Sequence, residues 1–321
     1  MKTATKILLS VAAALVVAGI VCLVGVLAAN NWKLDKLGSE TRTETIAIAE
    51  DFNDIAIEAD TENISFVPSG DGSCRVVFEL DEKQTATAKA VNGVLEISVR
   101  ETRKWFEFSL FSIGKRSITV YLPKAEYGSL NIKVDTGDIR LPEDFGFASV
   151  GINTDTGDID CLASVKGRLS VETDTGYIKL NGIEAEGIGL EVSTGLVELT
   201  GVKCSGELAI EVSTGRTVMT DVTCGSLRSE GSTGDMIMQN VIVGGSMRIE
   251  RSTGDIKMTA CDAADIEIET DTGSVTGTLL TEKVFIASSD TGRVSVPETV
   301  TGGRCRITTD TGSIKIEIVN G

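Results

Sequence analysis

The chain has no histidine at all, and only 4% of its residues are aromatic. Without histidine it lacks the side chain most often used as a general base near neutral pH, and the commonest nitrogen ligand for metals. Few aromatics leave little surface on which sugar rings or bases could stack. The seven cysteines (Cys22, Cys74, Cys161, Cys204, Cys224, Cys261 and Cys305) contain no Cys-x-x-Cys pair, which excludes the usual zinc and redox motifs. Basic residues are also scarce: 30 Lys and Arg stand against 47 Asp and Glu, for a net charge of −17. No basic face exists to neutralise phosphates, so nucleic acid is excluded as a partner.

What the chain does have is a tripeptide, Asp/Ser-Thr-Gly, that returns ten times. Its glycines are Gly137, Gly157, Gly176, Gly195, Gly215, Gly234, Gly254, Gly273, Gly292 and Gly312, always 19 or 20 residues apart. So tight a period marks a solenoid, in which each repeat is one unit that only its neighbours can cover. Five residues before the glycine, eight of ten repeats carry a large aliphatic: Ile132, Ile152, Val171, Leu190, Ile210, Ile249, Ile268 and Ile307. A second apolar column lies seven before it. This alternation is a strand with one buried face. The same parity would turn the invariant Thr inward. A third apolar column lies two after the glycine, from Ile139 to Ile314, which breaks the parity and demands a corner. Glycine at φ > 0 supplies that corner, and the Asp or Ser two before it can bond nearby N–H groups.

The expected fold is therefore all-β: a parallel β-solenoid of about ten 19–20-residue coils, right-handed as parallel crossovers are. At the usual strand spacing the rod is on the order of 50 Å long. Residues 128–321 form the repeats. Residues 44–127 read as a β-rich cap or irregular first coils, with strands around Ile46–Ile48, Ile55–Ile57, Ile64–Val67, Arg75–Phe78, Val94–Ile97 and Ile118–Tyr121. Residues 30–43 are a stalk behind an uncharged run, 7–29, and a short tail, 1–6. Twenty-three uncharged residues are enough for a transmembrane helix, here a signal anchor. A cleavable signal peptide, cut near Val26-Leu27-Ala28, would need a shorter apolar region. The expected location is the cell membrane, single-pass, with the solenoid outside the cytoplasm.

Several motifs have a sharp and a bland reading. Asp-Thr-Gly is also the signature of aspartic proteases, but a catalytic dyad would not be copied at every coil or tolerate Ser. Asp135, Asp155 and Asp174, with Asp138 and Asp158 beside them, are candidates for a calcium stripe. Solvated turn carboxylates are the simpler reading, because the nonapeptide pattern of calcium-binding β-rolls is absent. Thr-x-Thr pairs such as Thr154/Thr156 suggest an ice-binding face, but an inward second Thr rules that out. Cys161, Cys204, Cys224, Cys261 and Cys305 fill slots that other coils give to Ala, Val or Leu, so they read as small core hydrophobes. Cys204 and Cys224 share a register, which leaves a coil-to-coil disulfide open. Arg100–Arg116 mixes Trp105, Phe106, Phe108 and Phe111 with Arg103, Lys104 and Lys115. It reads as a hairpin packed under the cap, with docking on an anionic membrane as the alternative.

The run Ser117-Ile118-Thr119-Val120-Tyr121-Leu122-Pro123, followed by Leu130-Asn131-Ile132-Lys133-Val134-Asp135-Thr136-Gly137-Asp138-Ile139, resembles the "putative adhesin" family of bacterial envelope proteins. That family, of unknown function, includes LiaG-like proteins, and the likeness covers residues 44–321. It implies a surface-exposed β-solenoid with a tie to envelope stress, and carries no catalytic or binding residue to transfer. The expected function is that of a non-enzymatic, membrane-anchored envelope protein whose solenoid serves binding, adhesion or scaffolding. Its partners would be the membrane, through residues 7–29, and a surface ligand or envelope protein. A polysaccharide-acting β-helix enzyme and a polymerising filament are the alternatives. Ile314, Ile316 and Ile318 form the last strand in sequence, and self-association is expected through that C-terminal coil.

Overall fold

A computed structural model describes residues 41–101 and 116–319, together with residues 12, 15–21, 24–25 and 28 of the N-terminal segment. Residues 15–21 are helical. Among the described residues no helix is long and apolar enough to cross a membrane, and the rest of the 7–29 segment lies outside them. Most of the Arg100–Arg116 stretch, residues 102–115, also lies outside them.

The rest is one parallel β-solenoid. The first strands are β1 (Thr41–Ile48), β2 (Asp54–Ala59), β3 (Asn63–Pro68), β4 (Cys74–Asp81), β5 (Gln84–Val91), β6 (Val94–Glu101), β7 (Ser117–Leu122), β8 (Glu126–Thr136) and β9 (Ile139–Leu141). From β8 onward each repeat runs along one face to its glycine, turns, and continues along a second face. A short third face closes the coil, as where Glu184–Ala185 pairs with Lys203–Cys204. The columns five and seven before the glycine, and two after it, are buried throughout the middle of the rod. Leu130, Leu169, Ile178, Leu199, Ile249 and Ile268 are completely enclosed. Burying each such side chain favours folding by about 1.5–3 kcal/mol. Stacking in register lets every coil cover the next.

The order of coils in space departs from their order in the chain at both ends. β2 and β3 form a true coil, and it sits between β6/β7 and β8/β9. Ile55 pairs with Leu95 on one side and Leu130 on the other, and Ile64 with Ile118 and Ile139. Beyond β6 and β7 the parallel stack stops. β5 lies antiparallel on β6, β4 lies antiparallel on β7, and β1 lies antiparallel on β4. Residues 41–101 are therefore part cap and part coil.

At the far end, the strands Gly303–Thr311 and Ile314–Ile318 slot between two earlier coils. Ile307 pairs with Ile268 on one side and with Ala287 on the other. Arg304 locks this arrangement with two bonds to Asp265, Nε–Oδ1 at 3.0 Å and Nη2–Oδ2 at 2.8 Å. The expectation that the C-terminal coil ends the rod is corrected here. Ile314 and Ile316 are enclosed, and the terminal coil is that of Gly292, formed by Lys283–Thr291 and Val294–Ser295.

Candidate functional site

Three features of the surface follow from this stack: a corner ladder, a carboxylate face and the far tip. At the corner, eight of the ten glycines adopt φ between +135° and +159°; Gly176 and Gly292 do not. Close packing explains why all ten are glycine. A Cβ on Gly176 would overlap the carbonyl oxygen of Gly157, and one on Gly234 would overlap that of Gly215. Each α-carbon from Gly157 onward thus rests on the peptide of a corner glycine in the next coil, Gly137 rests on that of Glu62, and any side chain would wedge the coils apart.

The threonines do not follow the expected parity. All ten are exposed, because the corner spans both residues before the glycine. Thr136, Thr156, Thr175, Thr194 and Thr214 pair in register. Thr233, Thr253, Thr272, Thr311 and Thr291 do so in that spatial order. The inward position is three before the glycine, where Thr154, Thr173, Thr270 and Thr309 are buried. Thr173 and Thr270 leave their hydroxyls there without a partner. No coil therefore presents a Thr-x-Thr pair to solvent.

The capping role falls on the residue after the glycine rather than on the Asp or Ser before it. The Asp158 amide donates to Asp138 Oδ1 at 3.0 Å, and the Tyr177 amide donates to Asp158 Oδ1 at 2.9 Å. Higher up, the Asp255 amide donates to Asp235 Oδ1 at 3.1 Å and that of Ser274 to Asp255 Oδ1 at 2.8 Å. Each carboxylate ties its coil to the next. Asp135, Asp155 and Asp174 are exposed, one per coil, on the convex edge. Among the described residues no three carboxylates or thiols gather as a metal ion would need. None of the five candidate aspartates belongs to such a group.

On the face leading to the corner, the outward residues four before the glycine form a ladder that sequence reasoning missed. Glu172, Glu191 and Glu211 pair in register, as do Glu230, Glu250 and Glu269. Their fixed distance from each glycine was the available signal. In the upper half, cations offset them. Arg228 Nε donates to Glu230 at 2.8 Å, Arg248 Nε donates to Glu250 at 2.7 Å, and Arg248 also reaches Glu267 at 3.3 Å. In the lower half the neighbouring slots hold Ser170, Gly189 and Ala209, and a shallow groove of about 240 Å³ opens beside the glutamates. Partial desolvation, then the charges of Glu172, Glu211 and Asp174, hold the Glu191 carboxyl above the ordinary range. Further down, between the β5–β6 hairpin and the coils, lies a groove of about 770 Å³ lined by Lys89, Arg100, Lys133, Asn153 and Glu172 among others.

One charge is inside. Arg251 is 5% exposed, in a slot that other coils give to Thr, Val, Gly or Ser. It donates to Ser229 Oγ at 2.8 Å and to the Glu250 carbonyl at 2.9 Å, in space left by Gly231. Burial pushes its guanidinium down to about 10, against the pull of Glu230. Cys74, Cys161, Cys204, Cys224, Cys261 and Cys305 are buried and free, Cys204 and Cys224 included. Burial raises the Cys161 and Cys305 thiols to about 12, which makes them poor nucleophiles.

Residues 52–317, which hold this glycine-cornered solenoid, match a family described as Toastrack DUF4097. The chain belongs to the Toastrack DUF4097 family. It is a domain family of unknown function. No curated protein matches this Toastrack chain. Among solved structures, a "putative adhesin" from Bacteroides fragilis is 14% identical, with 87% of this chain and 97% of that one covered and a TM-score of 0.38. A "putative lipid binding protein" from Parabacteroides distasonis is 13% identical, with 87% and 97% covered and a TM-score of 0.43. A "putative adhesin" from the same species is 10% identical, with 86% and 97% covered and a TM-score of 0.49. Likenesses this distant decide nothing about the Toastrack chain; the family match does.

Proposed function

We propose that this Toastrack protein is a membrane-anchored, non-enzymatic envelope protein that holds out a rigid solenoid for binding or adhesion. The observation that carries the reading is the repetition of its surface. Threonines stand in a ladder, one per coil, and glutamates in a ladder of six, on faces without an enclosed cleft among the described residues. An enzyme needs a unique constellation, such as two carboxyls of unequal environment across a bound substrate. Glu191 has a raised carboxyl, but its neighbours along the ladder are two more glutamates, Glu172 and Glu211. A ladder suits a partner that is itself extended or repeated.

The anchor rests on the uncharged run 7–29 and on where the chain enters the rod. β1, the strand that follows that run in sequence, belongs to the antiparallel layer at one end of the rod. The tie to envelope stress rests on the sequence resemblance alone. Protease shaving of intact cells, followed by peptide mapping, tests the reading. Peptides from residues 44 onward should be released while those before residue 30 stay with the membrane. Complete protection of the solenoid peptides would overturn it.

A further inference from the structure

Outside the N-terminal segment, the exposed large aliphatic residues of the described chain are Val284, Ile286, Val294, Val300 and Val319. All lie in or beside the two coils that finish the rod. Val284 and Ile286 occupy outward slots, eight and six before Gly292, that the nine other coils give to Ser, Gly, Asn, Ala or charged residues. Val284-Phe285-Ile286-Ala287 is therefore apolar on both faces, the pattern of a strand covered on both sides. Yet the strand Lys283–Thr291 pairs with Gly303–Thr311 along one edge, and no second strand pairs with it among the described residues, although the Lys283 carbonyl accepts from Thr299 Oγ1. It carries no charge from Val284 to Ser289. Lys283, which could guard it, is buried against Asp262 at 2.6 Å.

The opposite end is finished differently. β5 presents Thr85, Thr87 and Lys89 outward, Lys89 pairs with Glu96 at 3.2 Å, and no large aliphatic is exposed there among the described residues. Natural sheets protect open edges with such charges, and from Val284 to Ser289 the far strand has none, its charges standing only at its two ends.

We infer that the strand Lys283–Thr291 pairs antiparallel with the same strand of a second copy, tip to tip. A two-fold axis at Ile286 sets Ile286 against its own copy and Val284 against Ser288, on one face. Phe285 and Ala287 then continue the core of one rod into the other. Its central stretch, Val284 to Ser289, is uncharged and self-complementary and asks for no oppositely charged partner. Each chain carries −17, and side-by-side contact would bring the glutamate ladders together, whereas coaxial contact keeps them apart. Head-to-tail stacking would set the apolar tip against Thr85, Thr87 and Lys89, which offer no apolar complement. Because the chain enters at the capped end, a coaxial pair places the two N-terminal segments at opposite ends. Resting on the anchored-rod reading above, this makes the protein a self-recognising link between two membranes.

Full-length protein reconstituted into phosphatidylcholine vesicles tests both readings separately. Vesicles carrying it should cluster. The double variant Val284→Lys/Ile286→Lys should still float with vesicles and keep its thermal transition, with clustering reduced at least tenfold. Thr87→Lys, at the capped end, should leave clustering unchanged. If the chain does not float with vesicles, the anchored reading fails. The tip pairing is then judged by sedimentation of the same protein, where a dimer lost in the double variant supports it. Floating protein that neither clusters vesicles nor dimerises overturns the pairing, as does clustering that survives the double variant. Clustering with protein-free vesicles would mean that the tip meets lipid, and would overturn it too.

Discussion

The α-carbon of Gly292 packs on the carbonyl oxygen of Gly312, twenty residues later in the chain, while Gly312 packs on Gly273. That inverted contact records how the last segment of the chain enters the rod from its side. The coil made last in sequence is enclosed by coils made earlier, so the final strand is not left as a loose edge. The same device at the other end places β2/β3 inside the stack. Both insertions raise the sequence separation of the contacts that hold the rod ends, and long-range contacts of this kind slow folding.

Replacing Gly176 or Gly234 with Ala separates the two causes of the corner. Gly234 has φ of +135°, whereas Gly176 is free of left-handed strain, yet a Cβ on either overlaps the peptide below. Both variants should lose about 2–4 kcal/mol of stability in denaturant unfolding. A loss at Gly176 below about 0.5 kcal/mol would reduce the corner to a matter of φ alone.

Asp158→Ala should cost about 1 kcal/mol, the usual worth of a bond whose backbone donor is left open, here the Tyr177 amide. Asp155→Ser, at the same corner but before Gly157, should stay within about 0.5 kcal/mol, as exposed substitutions do. Thermal unfolding of the pair reads the difference. Equal effects would remove the capping role from the residue after the glycine.

Glu191→Gln should stabilise the protein at pH 7. The folded carboxyl titrates above its unfolded value, so its protonated form is favoured in the fold and ionisation works against it. The wild type is penalised above the folded pKa and regains stability as pH falls below the unfolded one. The gain in melting temperature should therefore shrink in acid and vanish below the ordinary carboxylate range. A gain independent of pH would point to packing rather than charge.

Asp262→Ala should loosen the tip. Asp262 accepts from Lys283 at 2.6 Å, from the Ala263 amide at 2.9 Å and from Thr281 Oγ1 at 3.1 Å, and Lys283 is 3% exposed. Removing one partner of a buried ion pair costs about 3–5 kcal/mol, because the other charge stays buried. Hydrogen exchange should quicken across Lys283–Thr291 well before the middle coils respond. Unchanged protection there would mean the pair does not hold the terminal coil.

The repeat, its inward columns and the all-β class were legible in the chain itself, because a period of 19–20 residues and alternating Ile, Val and Leu leave a coil one way to bury its apolar side. Six of the N-terminal strands were legible for the same reason. β5 was not, since Thr, Ala and Lys carry little strand signal away from the sheet they complete. Only the tertiary structure decided the direction of the threonines. A corner on a convex edge exposes both residues before the glycine, and strand parity cannot see where the corner begins. It alone also decided the order of the coils. Every coil offers much the same parallel edge and the same glycine to its neighbour, so local sequence cannot tell which coil will meet which. That choice rests on long-range contacts such as Arg304 with Asp265, and on which edge is still open when the last strand arrives.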